Sequence, residues 1–179
     1  MLRHIIMAAA LTLATASFAQ AGPQYVDETG FALSGYDPVA YFEIEQAAPG
    51  TRQPEAVPGK ADITATHNGA TWAFSTEANR DKFLADPAKY VPQFDGHCAY
   101  GIAQGGKVPG NPNLWRIVDG KLYLNITPTV VGFWESDVPG NLSKAVDNWK
   151  SAEQKPASDK SWKSMDDNKG TFTKSAPIK

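Results

Sequence analysis

Two dipeptides, Asn68-Gly69 and Asp119-Gly120, each stand between runs of alternating apolar residues. A two-residue type I′ turn needs positive φ at both central positions, and Asn-Gly and Asp-Gly supply it, so each stretch is predicted to be a β-hairpin. In "ADITATHNGATWAFS", counting outward from the turn opposes His67 to Ala70, Ala65 to Trp72 and Ile63 to Phe74. These share one apolar face, with His67 at its rim. In "NLWRIVDGKLYLN", Trp115, Ile117, Leu122 and Leu124 fall on a core face, and Arg116, Val118, Lys121 and Tyr123 on an amphipathic one.

Helical signals lie between and after the hairpins. Ser75 or Thr76 is placed to cap a helix whose buried stripe is Phe83 and Leu84 and which ends at Pro87. "DPAKYVPQF" reads as one further helical turn. "TPTVVGFWESDVPG" and "NLSKAVDNWKSAEQ" also read as helical, the second with Leu142, Ala145, Val146 and Trp149 at the spacing of one amphipathic face. Trp72, Trp115, Trp134 and Trp149 are expected to anchor the core. Ahead of the first hairpin, "FALSGYDPVAYFEIEQ" turns at Tyr36-Asp37-Pro38, and the Pro/Gly-rich "AAPGTRQPEAVPGK" is expected to be a surface loop. The predicted class is α+β: a small single domain with two β-hairpins interleaved with short helices.

The ends of the chain differ from its middle. "MLRHIIMAAALTLATASFAQAG" has Arg3 before a short apolar run and small residues at Ala19-Gln20-Ala21, the pattern of a secretory leader over 1–21. The run is shorter than the ~20 residues that a membrane span requires, so no span is expected. Residues 22–150 form the predicted domain, and 151–179 a polar, basic tail without periodicity, expected to be disordered. Without Arg3 the chain carries 16 basic against 19 acidic residues, a balance that does not suggest nucleic acid. A periplasmic or secreted location is expected.

An exported chain with a single cysteine has no internal disulfide to make. Cys98 is then a buried thiol, a reactive thiol, a metal ligand or an intermolecular bridge. It follows His97 in "QFDGHCAYGIAQGG". Thiolate and imidazole are ligands that a soft ion such as Cu(I) favours, so Cys98 with His67 or His97 forms the candidate metal set. Adjacent residues diverge on a helix or strand, so His97 and Cys98 grip one ion only if the backbone bends at Gly96. Too few Cys and His residues are present for a structural tetrahedral zinc site. An enzymatic reading would make Cys98 a nucleophile beside a histidine oriented by Asp37 or Asp95, but no phosphate loop or oxyanion element accompanies it.

"SGYDPVAYF", "HNGATWAFSTEANRDKFLADPAKYVPQFDGHCAYG", "KVPGNPNLWRIVDGKLYLN" and "DVPGNLSKAVDNW" follow one another in an order that resembles the exported, stand-alone branch of the YHS-domain family, over about Ser34 to Trp149. The resemblance implies a relationship to treble-clef-like metal-binding modules, copper systems among them. In such relatives, ligand cysteines occupy the positions that correspond here to Ala40 and Ser75, so only Cys98 remains as a soft ligand. The leading expectation is a periplasmic, non-enzymatic module binding a soft metal ion, copper first, through Cys98, His67 and His97. The alternative is a small-ligand or protein-interaction module in which Cys98 only packs and Tyr36, Tyr41 and Tyr100 line a cleft. A thiol enzyme or redox protein stands third.

Overall fold

The computed structural model describes residues 22–160. The expected leader, 1–21, and residues 161–179 of the expected tail lie outside them. The fold is α+β, in the order β1 (Lys60–His67), β2 (Ala70–Phe74), α1 (Glu77–Ala85), α2 (Pro87–Tyr90), α3 (Ala99–Ala103), β3 (Asn111–Val118), β4 (Lys121–Asn125), α4 (Pro128–Ser136) and α5 (Val138–Ala152). No helix among the described residues is long and apolar enough to cross a membrane.

Both hairpins form where the turn residues put them. Asn68 and Gly69 have φ of 50° and 71°, and Asp119 and Gly120 have 49° and 71°, the left-handed pairs of a type I′ turn. In β1–β2, His67 opposes Ala70 and Ala65 opposes Trp72, but an irregularity between Lys60 and Thr64 puts Phe74 opposite Lys60 instead of Ile63. The bulge takes up the extra residues near the start of β1 while Phe74 stays in the core, fully buried beside Trp72. In β3–β4 the expected register holds from Val118–Lys121 to Trp115–Leu124.

The hairpins bury two cores. Trp72, Phe74, Phe83, Trp115, Leu122 and Leu124 pack with Tyr36 and Tyr41 in the first. The other face of β3–β4 is also covered: Tyr123 packs with Phe94, Ile102, Trp134 and Ala145 in a second cluster between that sheet and the helices. Leu84 and Val146, both expected to be buried, are each 53% exposed. Each directly follows the buried residue of its helix, Phe83 or Ala145, and one step along a helix turns a side chain about 100° away. α5 approaches α3 closely instead, and Asn148 Nδ2 donates to the carbonyls of Ile102 and Ala103 at the end of α3. Trp149 is half-buried rather than a full core anchor.

The boundary expected at 151 falls inside α5, which continues to Ala152. Lys107 Nζ donates to the carbonyls of Ala152, Glu153 and Lys155 at 3.2, 3.1 and 2.8 Å. A cation that collects unpaired carbonyls at a helix C-terminus draws the following residues onto the body. The Pro/Gly-rich loop is also tied down in places, with Gln53 and Ala56 buried.

The start of the domain is held by Asp37, whose side chain is fully buried. Its Oδ1 accepts from the N–H groups of Val39 (2.9 Å) and Ala40 (3.3 Å). Its Oδ2 accepts from Ser75 N–H (2.8 Å), Ser75 Oγ–H (2.6 Å) and Asn79 Nδ2 (2.8 Å). One carboxylate thus joins the Tyr36–Phe42 turn, the end of β2 and the first turn of α1, which Thr76 caps through Asn79 N–H. Removing a buried acceptor strands several donors at once. Asp37→Ala is expected to cost about 3–4 kcal/mol, and Asp37→Asn to recover only part of it, measured by urea unfolding.

Candidate functional site

The backbone around Gly96 sends His97 and Cys98 to different places. Phe94 and Asp95 both take positive φ in the 3-10 turn Gln93–Gly96, after which His97 bridges to Pro109 and Cys98 to Leu124 of β4. Gly110 crosses beside this point with its N–H on Gly96 O at 3.0 Å; a Cβ there would lie 2.6 Å from Leu124 Cβ and 2.7 Å from Gly96 O, so only glycine fits.

Cys98 caps α3 from a fully buried position. Its Sγ accepts from Gly101 N–H at 3.3 Å and donates to Asn125 Oδ1 at 3.6 Å, and the same oxygen accepts from Tyr100 N–H at 3.2 Å. Ile126, Val108, Val130 and Tyr100 surround it. Burial pushes the thiol up to about 11, against the opposing backbone hydrogen bonds. Because the thiolate is both the nucleophile and the metal ligand, a thiol held neutral in this way is suited to packing and capping.

His97 is also fully buried, and both ring nitrogens have partners. Nδ1 lies 2.9 Å from Phe94 O, which can only accept, so the proton is on Nδ1; Nε2 then accepts from Ser158 N–H at 3.2 Å. Tyr25 and Trp149 flank the ring. Burial lowers its pKa to about 4, with a smaller push from Lys107, and the ring is neutral at pH 7. His67 is half-buried at the end of β1, edge-on to Phe83 at 5.6 Å, in the first core. The structure therefore distributes the candidate set Cys98, His67 and His97 over separate environments. Among the described residues no three His, Cys, Asp or Glu side chains converge to hold a metal ion.

The tyrosines are likewise dispersed. Tyr36 and Tyr41 are buried in the first core: Tyr36 OH accepts from Asn113 Nδ2 (3.1 Å), and Tyr41 OH donates to Pro112 O (3.0 Å). Burial raises both phenols, that of Tyr41 well above the ordinary range. Tyr100 lies half-buried against the exposed Phe133, 5.7 Å between rings. Two of the three residues expected to line a cleft are thus core side chains with bonded hydroxyls.

A cleft lies along the edge of β3 away from β4, where the loop after the Tyr36–Phe42 turn crosses toward α4. Gln46 pairs with Ile117 through both its amide groups, and Gly50 N–H donates to Glu135 Oε2 at 2.7 Å. Beneath the loop, Arg116 pairs through Nε and Nη2 with Glu135 Oε1, and Nη2 also donates to Thr51 O at 3.0 Å. The ion pair is nearly buried, with side chains 6% and 10% exposed. A cavity of about 380 Å³ borders it, walled by Ile117, Val118, Trp134 and Val138; another of about 220 Å³ lies on the far side of the pair, toward Trp115 and Val131. Two donors on residues that line the larger cavity, Arg116 Nη1 and Trp134 Nε1, are themselves closed off from solvent and have no hydrogen-bond partner among the described residues.

Sequence reasoning placed Arg116 on an amphipathic face but gave it no role, because its partner Glu135 belongs to another element. Comparison of the chain with protein-family models, with curated proteins and with solved structures finds no match. Native Cys98 is expected to react with a disulfide reagent at pH 7 at least ~100-fold more slowly than free cysteine, and at the free rate only in denaturant. Fast native reaction would return the thiol-enzyme reading.

Proposed function

We propose that this chain is an exported, non-enzymatic binding module of the YHS-like kind, and that its ligand is a small, neutral organic molecule with a carbonyl or amide oxygen. It occupies the cavity beneath the 46–53 loop. The observation that carries the reading is the pair of orphaned donors, Arg116 Nη1 and Trp134 Nε1, on two residues that line this cavity; both atoms are closed off from solvent, so a small shift of these side chains admits the ligand oxygen. A buried donor left unpaired costs free energy that an incoming acceptor recovers. The cavity's size suits a compact ring or short chain.

Charge argues for a neutral ligand. Glu135 already compensates Arg116, and Asp119, also on this cavity, would repel an anion. The soft-metal reading draws less support, since each of its three donors has a packing or hydrogen-bonding role of its own.

Titration with cyclohexanone or benzamide, followed by the Trp134 indole N–H signal in a ¹H–¹⁵N spectrum, is expected to show a saturable downfield shift. Trp134→Phe should weaken binding roughly 2- to 10-fold, the scale of one neutral hydrogen bond. An indole proton that exchanges with bulk water at an exposed rate and ignores both probes would mean a merely hydrated donor, and would end this reading.

The metal alternative has its own measurement. Cu(I) affinity under a competing chelator is expected to be the same for the native chain and for Cys98→Ser. A tenfold loss in the variant would instead establish Cys98 as a ligand.

A further inference from the structure

The start of the described chain and the residues that follow α5 meet at Asp95. Gly22 is buried there, and a Cβ built on it would lie 2.0 Å from Glu153 O and 2.9 Å from Asp95 Oδ2, so no side chain fits. The following residues run along the same turn: Tyr25 N–H and Gln24 Nε2 both donate to Asp95 O, at 2.9 and 2.8 Å. Asn68 Nδ2 donates to Gly22 O at 3.4 Å. Asp95 Oδ2, however, is buried with no hydrogen-bond partner among the described residues. The nearby cation, Lys107, directs its hydrogen bonds to the carbonyls of Ala152, Glu153 and Lys155.

We infer that hydrolysis of the Ala21–Gly22 bond creates the missing partner: the new α-ammonium of Gly22 docks on the Asp95 carboxylate and the Glu153 carbonyl, clamping both chain ends to the body. The inference rests on the leader read from Ala19-Gln20-Ala21. In the cleavage by a leader peptidase, water gives its hydroxyl to the Ala21 carbonyl carbon and a hydrogen to the Gly22 nitrogen, and the amine takes one more proton from solvent. A neutral amide with one N–H thereby becomes a cation with three donors, beside an acceptor without a donor among the described residues. Gly22 suits this role by packing: any side chain there would displace Glu153 or Asp95.

The state of Asp95 before cleavage agrees with an unmet need for a cation. Burial raises its pKa to about 6, Lys107 opposes the rise and Glu153 adds to it. A carboxyl whose folded pKa lies above the unfolded value of ~3.9 contributes stability at low pH that is lost as pH rises through about 6. Pairing with the ammonium brings the folded pKa back down and removes that loss. His97, with its pKa lowered to about 4, acts in the opposite sense, gaining stability as pH rises from 4 toward 6.5. His97, Lys107, Glu153, Lys155 and Tyr25 are common to both forms, whereas the unprocessed one adds Arg3, His4 and the Met1 α-amine, so loss of the difference in Asp95→Asn is what assigns it to the new pair.

The test compares the exported, processed protein with the full unprocessed chain, whose cleavage is blocked by Ala19→Asp. Terminal sequencing of the processed protein should begin at Gly22; any other start overturns the leader reading. Given that start, acylation of the α-amine at pH 7 should be roughly tenfold slower than for a glycyl peptide, as a one-unit rise in amine pKa requires. The unprocessed chain should lose Tm between pH 5 and 7 relative to the processed one, and Asp95→Asn should abolish the difference. Acylation of the wild-type amine at the free rate overturns the docking while leaving the leader intact, and needs no variant to fold.

Discussion

The Asp37 carboxylate is the point on which the first half of the structure depends. A carboxylate taken out of water must be surrounded by donors, and this one draws them from its own turn after Tyr36 and, about forty residues on, from Ser75 at the end of β2 and Asn79 in α1. The same contacts bring Ala40 and Ser75 together on one side chain. Those are the two positions at which the family resemblance would place ligand thiols. Here hydrogen bonds to a carboxylate make the junction, and the hairpin β1–β2 is held against α1 by them together with the packing of Trp72, Phe74 and Phe83.

The second half is organised by divergence at Gly96. His97 turns toward Tyr25, Trp149 and the segment ending at Lys160, while Cys98 turns toward Asn125 and Ile126. Each then completes a local task, His97 by linking the Phe94 carbonyl to Ser158 and Cys98 by capping α3. Neutrality suits both: a buried imidazole and a buried thiol each avoid the desolvation that their charged forms would suffer. The proposed recognition site lies elsewhere, at the Arg116–Glu135 pair, where removing a guanidinium from water under the 46–53 loop leaves one of its nitrogens without a partner among the described residues.

The hairpins were legible because their signals are local. Asn68-Gly69 and Asp119-Gly120 demand their turns, and alternation assigns the faces, so the register of β3–β4 follows from the sequence through Trp115–Leu124. Legibility failed where a choice depended on something distant. The bulge before Thr64 broke the Ile63–Phe74 pairing, and Leu84 and Val146 had the right periodicity but no surface opposite them. The tyrosines were read as cleft because aromatic composition does not reveal whether a hydroxyl has found a partner such as Asn113 Nδ2 or Pro112 O. From sequence Asp37 is a turn residue and a candidate orienter of an imidazole, since nothing local announces that Ser75 and Asn79 will fold onto it.

By itself the amino-acid order determined the α+β class, both turns, the cap that starts α1 and the absence of an internal disulfide, all consequences of short-range sterics, periodicity and residue counts. Tertiary structure decided which polar groups share a neighbourhood: that Cys98 and the two histidines separate, that Asp37 gathers three segments, that Arg116 meets Glu135, and that Gly22 ends beside Asp95. The reason is physical: desolvation and hydrogen-bond pairing act through space, and the identity of a buried group's partner is known only once the chain has closed around it.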